Sequence, residues 1–133
     1  MNSPARPRAS STRGQWLAGC VFAPVGGLLT GIVGVTLVGR AWNSCDIGTS
    51  GAANSLGLAL AFIPLWLVAT AVWAVVFATA GRRSMTAAAG CALLGSLLLL
   101  WAFMAWKHAP AGYPAPVCAP DNVPPWWPGW LPL

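Results

Sequence analysis

Charged side chains are almost absent from this sequence of 133 residues. They make up 7% of the chain, and only two of them are acidic. A soluble domain has about 25% charged residues. Three stretches, residues 14–39, 47–81 and 84–106, contain no charged side chain at all. This scarcity of charge excludes a soluble globular domain.

The three uncharged stretches are long enough to cross a membrane. They contain 26, 35 and 23 residues, most of them apolar, and about 20 helical residues cross a hydrocarbon core about 30 Å thick. The sequence therefore predicts an all-α integral membrane protein, a three-helix bundle with short loops. The predicted helices cover approximately residues 16–38, 56–80 and 86–106, and Ser84 is the predicted N-cap of the third, before Met85 and a run of alanines.

The predicted bundle occupies residues 15–106 and is flanked by two segments of different composition. Residues 1–14 are predicted to be a disordered basic leader on the cytoplasmic side. Residues 107–133 contain eight prolines, and because proline interrupts regular helices, turns and polyproline II segments are expected there. The sequence thus predicts an irregular, extracytoplasmic C-terminal tail rich in Pro and Trp.

Ionisable residues within the predicted helices would mark a proton or substrate path, and no carboxylate, His or Lys lies there. General acid–base chemistry would have only Asp46, His108 and Asp121 available outside them. The sequence also lacks a phosphate-binding glycine loop, a nucleophile motif and metal-ligand spacings such as CxxC or HExxH. No catalytic residue, cofactor or metal site is therefore predicted, and the protein is not expected to be an enzyme.

Positive charges predict how the chain is oriented. One side of the predicted membrane region has five cationic residues, which are Arg6, Arg8, Arg13, Arg82 and Arg83. The other side has Arg40 and Lys107. By the positive-inside rule the N-terminus is cytoplasmic and the C-terminus extracytoplasmic. Few Lys and abundant Ala, Gly, Pro and Arg indicate a bacterial plasma membrane. No aromatic residues lie between the arginines of the leader, so no nucleic-acid partner is expected.

Small residues at four-residue spacing predict where helices approach closely. In lipid, close backbone approach drives association, because apolar side chains gain nothing by leaving lipid for each other. The first helix has one such stripe, formed by Gly19, Ala23, Gly27 and Gly31. The third has another, formed by Ala87, Cys91 and Gly95. Both stripes are predicted to be packing faces.

The second helix has an aromatic face and a small-residue face. The aromatic face consists of Phe62, Trp66, Trp73 and Phe77, and the opposite face of Pro64, Ala71, Ala74 and Ala78. In the favoured interpretation, the small-residue face packs on a neighbouring helix and the aromatic face contacts lipid. The alternative is that the aromatic residues line a groove for an isoprenoid, a quinone or a partner helix.

The predicted topology separates the four cysteines into two pairs. Cys45 and Cys118 fall outside the membrane, where disulfides persist in bacteria, so a Cys45–Cys118 disulfide is predicted. The alternatives are free thiols or an intermolecular bridge. Cys20 and Cys91 fall near the cytoplasmic ends of their helices and are predicted to be small buried hydrophobic residues.

The tail ends in a tryptophan-rich segment containing Trp126, Trp127 and Trp130. These residues could anchor the chain in the headgroup layer, cap the bundle, or dock onto a partner protein. The leading hypothesis is a non-enzymatic accessory, assembly or stabilising subunit of a larger membrane complex, with the lipid bilayer and a membrane protein as partners. One alternative is a self-assembling pore or channel built on the glycine stripe. Another is an extracytoplasmic thiol/disulfide or metal-handling protein.

Overall fold

A computed structural model describes residues 10–45, 52–108, 118 and 122–133, with the backbone alone for residues 10–18, 52 and 53. Within these residues there are three α-helices and no strand. They are α1 (Ser10–Ser44), α2 (Ala52–Thr79) and α3 (Met85–Lys107). A short 3-10 turn, Ala80–Arg82, joins α2 to α3. The predicted leader residues 1–9 and the residues 46–51 of the first loop lie outside the described part.

All three helices are long and apolar enough to cross a membrane. The candidate spans are Gly19–Ser44, Asn54–Arg82 and Met85–Lys107, so the predicted all-α architecture with three membrane-spanning helices is confirmed. Helix α1 extends beyond its predicted bounds at both ends. Residues 10–14, predicted to belong to the disordered leader, have helical backbone, and the other end continues because Ala41 and Trp42 are buried against the bundle.

The two ends of the bundle differ in their polar residues. At the end that we call the arginine end, the turn between α2 and α3 exposes Arg82 and Arg83. Ser84 is the predicted N-cap of α3, and its hydroxyl accepts a hydrogen bond from the Ala87 amide at 3.3 Å, which confirms that prediction. We call the opposite end, where α1 and α3 finish and residues 122–133 lie, the tail end.

The largest helix interface joins α1 and α2, which run antiparallel. It is built on glycines because a Cβ atom would not fit there. A Cβ on Gly27 would lie 2.7 Å from the Thr70 amide nitrogen, and one on Gly31 would lie 2.8 Å from the Phe62 ring. Ala23, Gly27 and Gly31 of the predicted stripe are buried, while Gly19 is half-buried beside Phe77.

The orientation predicted for α2 is wrong. Its aromatic face packs on α1, where Phe77 is 9% exposed and its ring centroid lies 6.0 Å from that of Phe22. The opposite face, which includes Ala71 and Ala74, is exposed. A glycine surface leaves a hollow into which a ring fits, and Trp73 lies directly over Gly26. Such contacts supply the dispersion energy on which helix association in lipid depends.

The packing stripe predicted on α3 is displaced by one residue. Ala87 and Cys91 are exposed, and Gly95 is half-buried against Val72. The residues that face the neighbouring helices are Ala88, Ala92 and Ser96. One residue corresponds to a rotation of about 100° around a helix, so the adjacent small residues define two competing stripes. Only the position of the neighbouring helices selects between them.

The prediction that Cys20 and Cys91 are buried is also wrong. Both are free cysteines on the outer surface of the bundle. Their small, weakly polar side chains tolerate lipid as readily as a protein interior, so apolarity did not determine which environment they occupy.

A polar network near the middle of the bundle ties the three helices together. The Trp73 indole N–H donates to Ser96 Oγ at 2.9 Å, and Ser96 Oγ lies 3.0 Å from Thr30 Oγ1. The Thr30 hydroxyl has two acceptors within reach of its single proton, Ser96 Oγ and the Gly26 carbonyl oxygen, which lies 2.8 Å away. Hydroxyls on membrane helices often bond only the backbone of their own helix. Thr36 does bond in that way, to the Ile32 carbonyl.

Candidate interaction surface at the tail end

The tail is joined to the end of α1 through its cysteine. Cys45 and Cys118 lie at disulfide-bonding distance, with their Cα atoms 5.2 Å apart and 73 positions apart in sequence. Cys45 is fully buried beneath the tail. The two cysteines predicted to form a disulfide are therefore adjacent in the structure, and the bond fixes one point of the tail over the bundle.

Three turns fold the described part of the tail. The Asn122 amide donates to the Cys118 carbonyl at 2.8 Å, and Asn122 has a φ of 58°, in the left-handed region that asparagine tolerates better than most residues. Further along, the Trp127 amide donates to the Pro124 carbonyl at 2.9 Å and the Leu131 amide to that of Pro128 at 3.0 Å. The turns expected from the prolines are present.

Indole N–H groups hold these turns against the helices. Trp101 of α3 donates to the Pro132 carbonyl at 2.9 Å, and Trp126 of the tail donates to Ser44 Oγ of α1 at 2.9 Å. Trp127 donates within the tail to the Leu131 carbonyl at 2.8 Å. The tail is therefore tied to two different helices by directed hydrogen bonds as well as by the disulfide.

The same segment completes the apolar core at this end. Trp127 and Leu133 pack against a buried cluster that includes Val38, Trp42 and Met104. Pro124 is also fully buried. The indole of Trp42 donates to the Lys107 carbonyl at 2.9 Å and so closes the contact between the ends of α1 and α3. The tail acts as a cap on the bundle.

The three tail tryptophans occupy three different environments. Trp127 is directed into the cap, Trp126 is 43% exposed beside α1, and Trp130 is 81% exposed. Trp126 and Trp127 nevertheless contact each other edge to face, with ring centroids 5.9 Å apart. Trp101 and Ser44, which hold the tail in place, were not predicted, since no spacing in the sequence relates them to residues near the C-terminus.

Two cationic residues, Arg40 and Lys107, lie at the tail end among the described residues, while the two acidic residues of the chain, Asp46 and Asp121, lie outside the described part. The Lys107 ammonium lies 4.1 Å from the ring centroid of Trp106, a cation–π contact. Arg40 is exposed, and an open groove of about 420 Å³ beside it is lined by α1 and Trp126.

Within the part of the chain that the structure describes, no three His, Cys, Asp or Glu side chains lie close enough to hold a metal ion. The ring of His108 lies at the end of α3 with Nδ1 3.2 Å from the Ala105 carbonyl oxygen. Comparison of the chain with protein-family models, with curated proteins and with solved structures finds no match.

Proposed function

We propose that this small membrane protein is a non-enzymatic accessory or stabilising subunit of a larger membrane complex, and that its tail end carries the contact. The observation that supports this is Trp130. Its side chain is 81% exposed on a backbone held by turns, indole hydrogen bonds and a disulfide. We further propose that the tail end faces away from the cytoplasm, as the positive-inside rule predicts.

A fixed, exposed tryptophan suits a protein contact for two reasons. Tryptophan is enriched among the residues that contribute most to binding free energy. A backbone that is already folded loses little conformational entropy when a partner binds, so more of the contact energy appears as affinity. Trp127 and Pro124 provide this order from beneath, since both are buried in the cap or pack against it.

The pore alternative receives less support from the packing. The glycine stripe on which such a pore would be built is in contact with Thr70, Phe62 and Trp73 of the same chain. A self-assembled channel would therefore have to use another face. The thiol-handling alternative requires accessible cysteines at the tail end, whereas Cys45 is fully buried and bonded to Cys118.

The experiment is affinity purification of the tagged protein in mild detergent, comparing Trp130→Ala with Trp106→Ala. Trp106 is the matched control because it is 67% exposed at the same end but belongs to α3 rather than to the tail. We expect specific co-purifying membrane subunits to be lost with Trp130→Ala and retained with Trp106→Ala. An unchanged set of partners in both variants would contradict docking and favour a lipid anchor.

Two further measurements address the remaining parts of the proposal. Blue-native electrophoresis should show co-migration with other subunits, and a single homo-oligomer of defined size would favour a pore instead. A reporter fused after residue 133 should be active only in the extracytoplasmic compartment. A cytoplasmic reporter signal would overturn the proposed orientation and, with it, the redox argument for the disulfide.

A further inference from the structure

The groove at the tail end is built by two separate parts of the chain. Leu37, Arg40, Asn43 and Ser44 of α1 line one side, and Trp126 of the tail lines the other. Its volume is about 420 Å³ and it is open to the surface. The groove therefore exists only when the tail is folded against α1.

Hydrogen bonds fix the wall that the tail contributes. Trp126 donates its indole N–H to Ser44 Oγ at 2.9 Å, and the Ser44 hydroxyl donates to the Arg40 carbonyl one turn earlier. Because this hydroxyl uses its proton on Arg40 and a lone pair on Trp126, it holds the ring at a set position beside the helix. The groove is preformed.

Arg40 supplies the charge. Its side chain is exposed, and a guanidinium presents a planar set of donors that matches phosphate oxygens. The end of a helix that carries free carbonyls is itself electronegative. The attraction for an anion at this site therefore comes from Arg40 and not from the helix terminus.

The surface of α1 that leads away from the groove into the membrane is apolar. Leu29 and Val33 are exposed and lie at four-residue spacing below Leu37, on the same helix face as Arg40. From residue 29 to residue 40 the helix rises by about 16 Å. Tryptophan and arginine at helix ends lie at the headgroup level, so a cationic site there continues directly into a hydrocarbon-facing strip.

We propose that this groove binds one phospholipid with a net negative headgroup, its phosphate on Arg40 and one acyl chain along Val33 and Leu29. A phospholipid is the ligand class that places a phosphate at this level and hydrocarbon directly beneath it. The site is separate from the exposed Trp130, so it neither requires nor follows from a protein partner.

The test measures phosphatidylglycerol binding to the full chain in mild detergent by native mass spectrometry, for the unaltered protein, Arg40→Gln and Arg82→Gln. Arg82 is the matched control, an exposed arginine at the opposite end. We expect Arg40→Gln to weaken binding about tenfold or more, as loss of a charge-assisted hydrogen bond does. Arg82→Gln should have no effect. Equal binding by all three proteins would overturn the proposal.

Four further comparisons distinguish a phospholipid from a free phosphate as the ligand, and separate this proposal from the proposed protein contact. Phosphatidylcholine should bind more weakly than phosphatidylglycerol, and soluble glycerol phosphate should not compete, because it cannot use the apolar strip. Equal phosphatidylcholine binding, or full competition by glycerol phosphate, would contradict the site. Trp126→Phe keeps an aromatic ring but loses the indole N–H donor to Ser44, and it should weaken lipid binding. Trp130→Ala should leave lipid binding unchanged even where it removes a protein partner.

Discussion

Replacing Gly27 with alanine should separate α1 from α2. The added Cβ would lie 2.7 Å from the Thr70 amide nitrogen and 2.9 Å from the Thr70 Cα. Because these are backbone atoms, no side-chain rotation can relieve the overlap, and the helices must move apart locally. Ordinary van der Waals contact begins near 3.4 Å, so the displacement needed is about 0.7 Å.

A gap of this size carries an estimable energetic cost. A separation of about 0.5–1 Å forfeits a quarter to a half of each atom–atom attraction, and each attraction contributes about 0.1–0.2 kcal/mol. The interface extends along the helices from Gly19 to Gly34, so many such pairs are weakened together. Overpacking a tight contact typically costs about 1–3 kcal/mol, and we expect Gly27→Ala to fall in that range.

The control is Gly90→Ala on α3, where no atom lies within 4 Å of the added Cβ. Both substitutions gain the same helix propensity, about 0.5–1 kcal/mol in water, so their difference isolates packing. The free energy of unfolding is measured by titrating the purified protein from mild detergent into sodium dodecyl sulfate and following tryptophan fluorescence. Equal stability of the two variants would refute the glycine-mediated interface. If Gly27→Ala instead changes the oligomeric state and leaves the free energy of unfolding unchanged, the glycine stripe forms an interface between chains.

Three other perturbations have definite expected outcomes. Ser96→Ala removes the centre of the interhelical network and should lower the free energy of unfolding by about 1 kcal/mol, the scale of hydrogen bonds between membrane helices. Thr36→Ala removes a hydrogen bond within one helix and should lower the free energy of unfolding less. The same detergent titration measures both variants. Cys118→Ser should leave helix content by circular dichroism unchanged and increase acrylamide quenching of the total tryptophan fluorescence, because the tail and its tryptophans lose their covalent attachment. Trp101→Phe removes the hydrogen-bond donor to the tail. In a limited digest with proteinase K, it should increase cleavage of the tail but not of the helices.

The helix positions were accessible from the sequence because the bilayer imposes a length on apolar segments. Charge-free stretches of sufficient length predicted three spans, and the structure contains three helices of that length. Local chemistry also sufficed at Ser84, since a serine before an alanine-rich helix satisfies a free backbone amide. The adjacency of Cys45 and Cys118 followed from placing both outside the same membrane face.

The faces of the helices were not accessible in the same way. In water, apolar residues mark the buried side of a helix, but lipid is as apolar as the interior of a membrane protein. Trp73 and Phe77 were therefore assigned to lipid although they pack on α1, and Cys91 was assigned to the interior although it is exposed. Whether a helix face packs on a neighbouring helix or contacts lipid depends on where the neighbouring backbone leaves a hollow for its side chains.

The sequence by itself thus determined how many helices the chain forms, approximately which residues they contain, and the polar residue that caps the start of the third. Each of these depends on local composition and on the fixed thickness of a membrane. The tertiary structure alone decided that aromatic rings occupy the glycine hollows, that Ser96 joins three helices, and that the tail returns to Ser44 and Trp101. These features arise from shape and hydrogen-bond direction between distant residues, which no local pattern encodes.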